Sequence, residues 1–593
     1  MKKSLPLFLL FFTTFLFSQE RELPHYLTKE EKAMLQWYDW TTHSSFDRGI
    51  GEPPAEPVRH MAEWEELEAL VVTWRQYKPI LTEIIRHAKE EVKVIVIVAP
   101  SGSNSQANAE GTLSANGVSL DNIEFVTAGS NTIWSRDYLQ NTVYANDVED
   151  RYFIDWVYNR PRPLDDVLSD EIGAYLGTPV YSTTEAPTRL VNTGGNFMSD
   201  GLGTAFSSKL ILEENQPNND FDAGPHDEAA IDSIFSMFMG IDRYIKFETL
   251  DFDVIHHIDM HMHLVDEETI LWGQYPTGVA DGPQIEANIQ YLQDNYLSAF
   301  GTPYRIERII QPPGFGGNYP NTNGDYRTYT NSVFINKTIL LPYYEEQYDT
   351  IAYRVYSEHF PGYKIVGINC NAMIGALGAL HCITKEVGVN DPLWIVHQRQ
   401  RDISDNEQWG DYELTANIKH RTGIESAQLY WTIDTTSAYE TLDMSLVDAS
   451  TNTWSASIPH QPDGTEIFYY IQGHAVSGKS QFRPLAVPTG GYYNFSVNDT
   501  PTSVTELSPI VIQDIYPNPA SAITVIPIET NRQIEGKVEM VDVMGRLVKV
   551  LFAGQLPIGK SNVFLDANDY RAGTYFIRIK TEEAVFSNKL VIN

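Results

Sequence analysis

From about residue 60 to residue 400 the chain alternates short β-branched runs with stretches of helical spacing. Leu70-Val71-Val72-Thr73-Trp74 and Val92 to Val98 predict buried strands, and Ile80, Leu81, Ile84 and Ile85 recur at helical intervals between Pro79 and Glu90. Further helices are predicted at 226–239, opened by Pro225 with acids in the first turn, at 283–299 and at 347–359. Strand-like runs follow at 205–213, 269–273, 304–311, 333–342, 363–368 and 393–398. This alternation predicts an α/β fold, either one sheet with helices on both faces or a pseudo-symmetric ring of small α/β modules.

The pattern changes after about residue 410. Alternating runs at Ala427 to Ile433, Thr453 to Ile458 and Glu466 to Gln472, with a Pro-Asp-Gly turn at 462–464, predict an all-β sandwich of immunoglobulin-like size over 411–497. A polar linker is predicted at 498–507 and a second β module at 508–593. Gly314-Phe315-Gly316-Gly317 follows two prolines and leads into another turn, so it reads as a structural loop and not as a phosphate cradle.

The first 19 residues have the order of a signal peptide: Lys2 and Lys3, an apolar stretch from Leu5 to Phe17, then Ser18. The stretch is shorter than the roughly 18 residues a spanning helix needs, and no later segment is apolar enough to cross a bilayer. Counts of 42 Lys plus Arg against 78 Asp plus Glu give a formal charge of −36, which disfavours nucleic acid and anionic membranes and favours neutral or cationic partners. Only Cys370 and Cys382 occur, too few for a disulfide framework or a Cys-rich metal centre.

Six clusters could carry chemistry: Trp134-Ser-Arg-Asp137-Tyr, Tyr158-Asn-Arg160-Pro-Arg162-Pro, Thr193-Gly194-Gly195-Asn196, His256-His257-Ile-Asp259, Tyr329-Thr-Asn331-Ser and Ala379-Leu-His-Cys382. Cys382 is either a nucleophile, which needs a neighbour that favours its thiolate, or an inert buried thiol. Cys370, at the end of a strand-like run, reads as structural. His257 and Asp259 share a face if their segment is extended, which would join a proton shuttle to a carboxylate. His261 and His263 raise a zinc alternative, whose necessary third ligand the sequence alone cannot place. Asp137 is either a site carboxylate or the partner of Arg136 in a surface ion pair. Two carboxylates, a thiol and an imidazole suit a guanidinium, whose nitrogens two carboxylates can grip while its central carbon stays open to sulfur.

Together these clusters, in this order, resemble the Porphyromonas-type peptidylarginine deiminase family, related to agmatine deiminases in the guanidine-modifying superfamily. The resemblance implies a pentein-type five-module pseudo-symmetric α/β propeller as the catalytic domain, within 20–410, followed by the immunoglobulin-like sandwich. It implies Cys382 as nucleophile, His257 as general acid and base, Asp137 and Asp259 as guanidinium ligands, and Asn331 as a further catalytic-site residue. Arg160 and Arg162 would receive the carboxylate of a C-terminal arginine, Trp134 would pack along the substrate's aliphatic stem, and the Gly-Gly-Asn turn would be scaffold. No metal or cofactor is called for, and arginine-containing peptides or proteins are the expected partners.

Met260-His261-Met262-His263 departs from the family pattern and would reshape one wall of the pocket. Agmatine or free-arginine deimination, zinc-dependent hydrolysis and an inactive surface adhesin are the rival readings. Tyr516-Pro-Asn-Pro519, Gly545, Gly573-Thr-Tyr575 and the final Lys589-Leu-Val-Ile stretch resemble the C-terminal sorting domain of type IX secretion, with a β-sandwich fold. That resemblance implies contact with the secretion machinery and a destination outside the cell or on its outer surface.

Overall fold

Five sheets of three or four strands occupy the span from Val58 to Gly388, and they share one plan. In each, one strand is antiparallel to a neighbour that in turn runs parallel to the next, with a helical crossover between the parallel pair. The computed structural model describes residues 25–35, 49–221, 226–404, 410–498, 510–530, 532–581 and 584–593. The expected signal peptide, Pro225 and nearly all of the expected linker lie outside these.

The crossovers form because their apolar positions recur on one helical face. In Lys78–Ala88, Ile80, Leu81, Ile84, Ile85 and Ala88 are buried, while the strands it joins, Leu67–Thr73 and Lys93–Val98, are apolar on both faces. Glu228–Met239 begins at Asp227, whose side chain accepts from the Ala230 N–H, and ends at Gly240 in the left-handed conformation. Gly282–Asn295 and Glu346–His359 complete the predicted helices.

Three expectations change in detail. The run at 205–213 is a strand only over Thr204–Ser208; Leu210–Glu214 is a helix, since a short apolar run has no period to separate the two. The run at 333–342 is a hairpin of Val333–Ile335 and Thr338–Tyr343, turned at Asn336 with φ 51°. The run at 393–398 yields Trp394–Val396, which pairs with Tyr412–Lys419 in the β structure that follows and not with the α/β sheets.

That following β structure is a four-stranded sheet opposed to a six-stranded one around its own core, which includes Leu414, Ile418, Leu429, Tyr469 and Phe495. The last part of the chain is again two antiparallel sheets, of three and four strands. It docks on the α/β part: Gln274 and Asn562 exchange side-chain to backbone hydrogen bonds of 3.2 and 3.3 Å, and Arg354 lies 3.7 Å over the Tyr516 ring. Among the described residues no helix is long and apolar enough to cross a membrane.

Candidate active site

The shared sheet plan places one chemical group per sheet. Asp137, Gly195, Asp259, Asn331 and Cys382 each lie in the short helical turn or loop just before an antiparallel strand: Asn141–Ala145, Met198–Ser199, Met262–Leu264, Val333–Ile335 and Lys385–Gly388. All five are buried, and they converge.

Cys382 Sγ lies 3.2 Å from Asn331 Nδ2 and 3.6 Å from Asp259 Oδ2. Asn331 Oδ1 accepts the backbone N–H groups of Ala379 and His381, each at 3.1 Å, and so holds the loop that presents the sulfur. Asp137 takes the Gly195 N–H at 3.3 Å and stands 3.8 Å from His257 Nδ1. A Cβ on Gly195 would fall 2.4 Å from His257 Nδ1 and 3.2 Å from both Asp137 Oδ1 and Asp259 Oδ2. The glycine expected to be scaffold therefore forms a wall of the site, and only its missing side chain leaves room there.

His257 is extended, but Ile258–Met260 is a tight helical turn, so the imidazole and Asp259 do not share a strand face as the alternation suggested. They meet at Gly195 through that turn instead. His256, just before, has φ 61°, a left-handed conformation that costs a β-carbon residue about 1–2 kcal/mol.

Arg136 does not form a surface pair with Asp137. It is buried and grips Glu386 with both terminal nitrogens, at 2.9 and 2.7 Å, with Glu63 at 3.6 Å. Glu63 also takes His381 Nε2 at 2.9 Å, and His381 Nδ1 meets Asp259 Oδ2 at 2.8 Å. His381 and Glu63 have no role in the sequence reading. His381 belongs to the Ala379-Leu-His-Cys382 cluster, whereas Glu63 carries no local signal.

Burial and Arg136 press the His381 pKa down, yet Glu63 and Asp259 outweigh them and hold it above the usual histidine value. Burial lowers His257 to about 4, so its imidazole is neutral near pH 7. Burial first, then the charges of Asp259 and Asp137, push the Cys382 thiol well above its ordinary value. Burial likewise raises Asp137, against the hydrogen bond it accepts from the Gly195 N–H.

Trp134 is buried, and a Cβ on Gly378 would meet both its ring, at 2.5 Å, and Cys382 Cβ, at 3.1 Å, so the indole packs beside the thiol loop. Arg160 and Arg162 are both engaged by one carboxylate, Glu31, at 3.0 and 3.5 Å. Cys370 is a buried free thiol whose Sγ faces the Ile368 carbonyl at 3.3 Å.

His261 and His263 are buried beside Trp272 and Phe334, and among the described residues no metal-ligating group gathers round them. The one candidate cluster among those residues is His25, His256 and Glu213. Its two imidazoles stack with centroids 3.8 Å apart and planes 10° from parallel. Lone pairs in parallel, stacked planes cannot both point at one ion, so this is a ring stack and not a chelate.

Cys382, Asp137, Asp259, His257 and Asn331 thus meet in one buried cluster at the ends of the five sheets. The model of the Porphyromonas-type peptidyl-arginine deiminase family matches residues 59–387, and the chain belongs to that family, whose enzymes act on guanidino C–N bonds. Residues 514–593 match the secretion-system C-terminal sorting domain, which directs the chain through type IX secretion to the cell surface or the exterior.

A Legionella pneumophila (strain Paris) protein named "Putative agmatine deiminase" is 25% identical over 56% of this chain and 94% of its own length. A solved structure named "C. Jejuni Agmatine Deiminase" is 21% identical with a TM-score of 0.45, covering 56% of this chain and 95% of its own. Another, named "Agmatine deiminase of Enterococcus faecalis catalyzing its reaction", is 16% identical with a TM-score of 0.48, covering 57% and 98%.

Proposed function

We propose that this protein is a secreted arginine deiminase that hydrolyses the guanidinium of a peptidyl, C-terminal arginine to citrulline and ammonia through a covalent Cys382 thiouronium. The observation that carries the reading is Cys382 Sγ set 3.6 Å from Asp259 Oδ2, with Asp137 and His257 gathered on the same glycine. In this reading the five sheets are the five modules of a pentein-type propeller over 20–410, and the β structure over 411–497 is immunoglobulin-like.

The thiol's raised pKa makes chemical sense here. Burial, and then the charges of Asp259 and Asp137, oppose a thiolate in the free site. A guanidinium held between them cancels that field, so the substrate itself favours ionisation of the nucleophile. As the substrate cation binds, neutral His257 takes the Cys382 thiol proton; the thiolate attacks the guanidinium carbon, and the imidazolium passes that proton to the departing nitrogen, so one C–N bond breaks with loss of ammonia. Water, deprotonated by the then neutral His257, attacks the thiouronium carbon; the C–S bond breaks, citrulline leaves and the thiolate returns. The aspartates hold the planar cation in line with sulfur, which makes the attack an oriented one.

Arg160 and Arg162 form a fork suited to a carboxylate, which favours an arginine end over agmatine. Agmatine is the second reading, favoured by the name of the Legionella relative. Citrulline or ammonia release from a peptide ending in arginine, its C-terminal amide, an internal-arginine peptide and agmatine separates the two. The proposal expects the free acid to be turned over best; equal or better turnover of agmatine would replace it with the second reading.

A further inference from the structure

The arginine pair is already holding a carboxylate from the chain's own start. Residues 25–35 lie across the α/β part, and their short helix, Lys29–Leu35, places Glu31 with Oε2 3.0 Å from Arg160 Nη1 and Oε1 3.5 Å from Arg162 Nη2. The Tyr26 carbonyl accepts from Arg160 Nη1 as well, at 3.2 Å. Glu31 is 12% exposed, Arg160 4% and Arg162 15%, so this contact is sheltered from solvent.

The segment is built to hold that pose. Thr28 N donates to Glu31 Oε2 at 2.9 Å and Glu31 N donates to Thr28 Oγ1 at 3.1 Å, a reciprocal capping pair that orients the carboxylate. Leu27 is buried with Val157, Val191 and Phe221, and Leu35 packs against the same group. His25 stacks on His256, the neighbour of His257, and its Nδ1 meets the Val254 carbonyl at 3.0 Å. Lys32 pairs with Asp220 at 3.1 Å. Burial works against an ionised Glu31, but Arg160 and the Thr28 N–H outweigh it and hold the carboxyl below its usual value, so the group on the arginines is an anion.

We propose that residues 25–35 are an internal occupant of the substrate-carboxylate site, with Glu31 standing where the carboxylate of a C-terminal arginine binds. The chain is then self-inhibited toward such substrates until the segment is displaced or removed. This rests on the reading of Arg160 and Arg162 as the carboxylate receptor. An internal ligand reduces apparent affinity by the fraction of molecules in which the site is free, so it acts on KM for carboxylate substrates and spares substrates that do not use the receptor.

The test uses the chain as secreted, with Glu31→Gln and, as a variant that leaves Glu31 intact but removes the apolar anchor, Leu27→Asp. Both should lower KM for a peptide ending in arginine by about ten-fold while kcat and the KM for the matched amide stay unchanged. A peptide of residues 25–35 should inhibit the Leu27→Asp variant competitively against the acid substrate.

Unchanged KM in both variants, with no inhibition by the peptide, overturns the inference. Arg160→Ala distinguishes the two levels of the argument. If it abolishes the preference for acid over amide while Glu31→Gln does nothing, the receptor stands and the internal occupant falls. If it leaves that preference intact, the receptor reading fails and the inference fails with it.

Discussion

His381 Nδ1 and Asp259 Oδ2 lie 2.8 Å apart in a fully buried setting, and the other ring nitrogen of His381 meets Glu63 at 2.9 Å. The cation so formed fixes the carboxylate that faces Cys382. Replacing His381 with Gln leaves Asp259 buried without its charge partner and Glu63 with Arg136 alone, at a cost of about 3–5 kcal/mol. The sign of the pH dependence follows from the raised pKa: the histidine's contribution is complete below its unfolded value and is lost as pH rises through the folded one. Denaturant midpoints from pH 6 to 9 should therefore fall on the alkaline side in the wild type and lose that slope in His381→Gln. An unchanged slope would show that the ring is neutral.

Gly195→Ala is expected to fold and to lose activity. Its methyl carbon would enter a space bounded by His257, Asp137 and Asp259. Displacement of these groups by an ångström or so costs about a hundred-fold in kcat/KM. Steady-state kinetics beside a circular dichroism spectrum checks this. Wild-type kinetics in a folded variant would mean that the three groups do not work together.

Acid should destabilise the protein through histidines the chemistry does not use. His60 is buried edge-on to Phe197 with its pKa lowered by burial, and next by Lys385, to about 4. The unfolded chain takes up the proton near pH 6.5 and the folded one resists until about 4, so stability falls as pH drops through that window. The loss from this residue alone is about 3 kcal/mol by pH 4. Urea midpoints at pH 7, 6 and 5 should show a shallower decline in His60→Leu than in the wild type; equal declines would assign the effect elsewhere.

Sequence reasoning reached the element types because period alone separates the helix at Lys78–Ala88 from the strands either side of it. It failed at Leu210–Glu214, where the apolar run is too short to have a period. For the candidate site, side-chain chemistry alone points to Cys382, His257, Asp137 and Asp259, while Asn331 enters only through the family resemblance of Tyr329-Thr-Asn331-Ser; the fold brings the five together. Gly195 reads as scaffold in the sequence because its contribution is the absence of a side chain, visible only once three others surround it. A faint signal existed in the spacing: 58 residues separate Asp137 from Gly195 and 51 separate Asn331 from Cys382, one group for each repeated sheet. Glu63 and Glu31 were not legible at all, because ordinary glutamates acquire a role only through the distant residues the fold brings to them.

The raised thiol pKa predicts selective alkylation. In the free protein at pH 7.5 iodoacetamide should react slowly with Cys382, while a chloroacetamidine, whose cation can sit between Asp137 and Asp259, should label it at least ten-fold faster. Asp259→Asn should narrow that ratio. Equal rates for the two reagents in the wild type would mean that the aspartates do not control the sulfur.

The most direct test is to quench turnover of a peptide ending in arginine with acid and weigh the intact protein. An adduct equal to the substrate less ammonia, mapped to Cys382 and absent in Cys382→Ala together with all citrulline release, is the predicted result. Citrulline release that persists in Cys382→Ala would contradict the account.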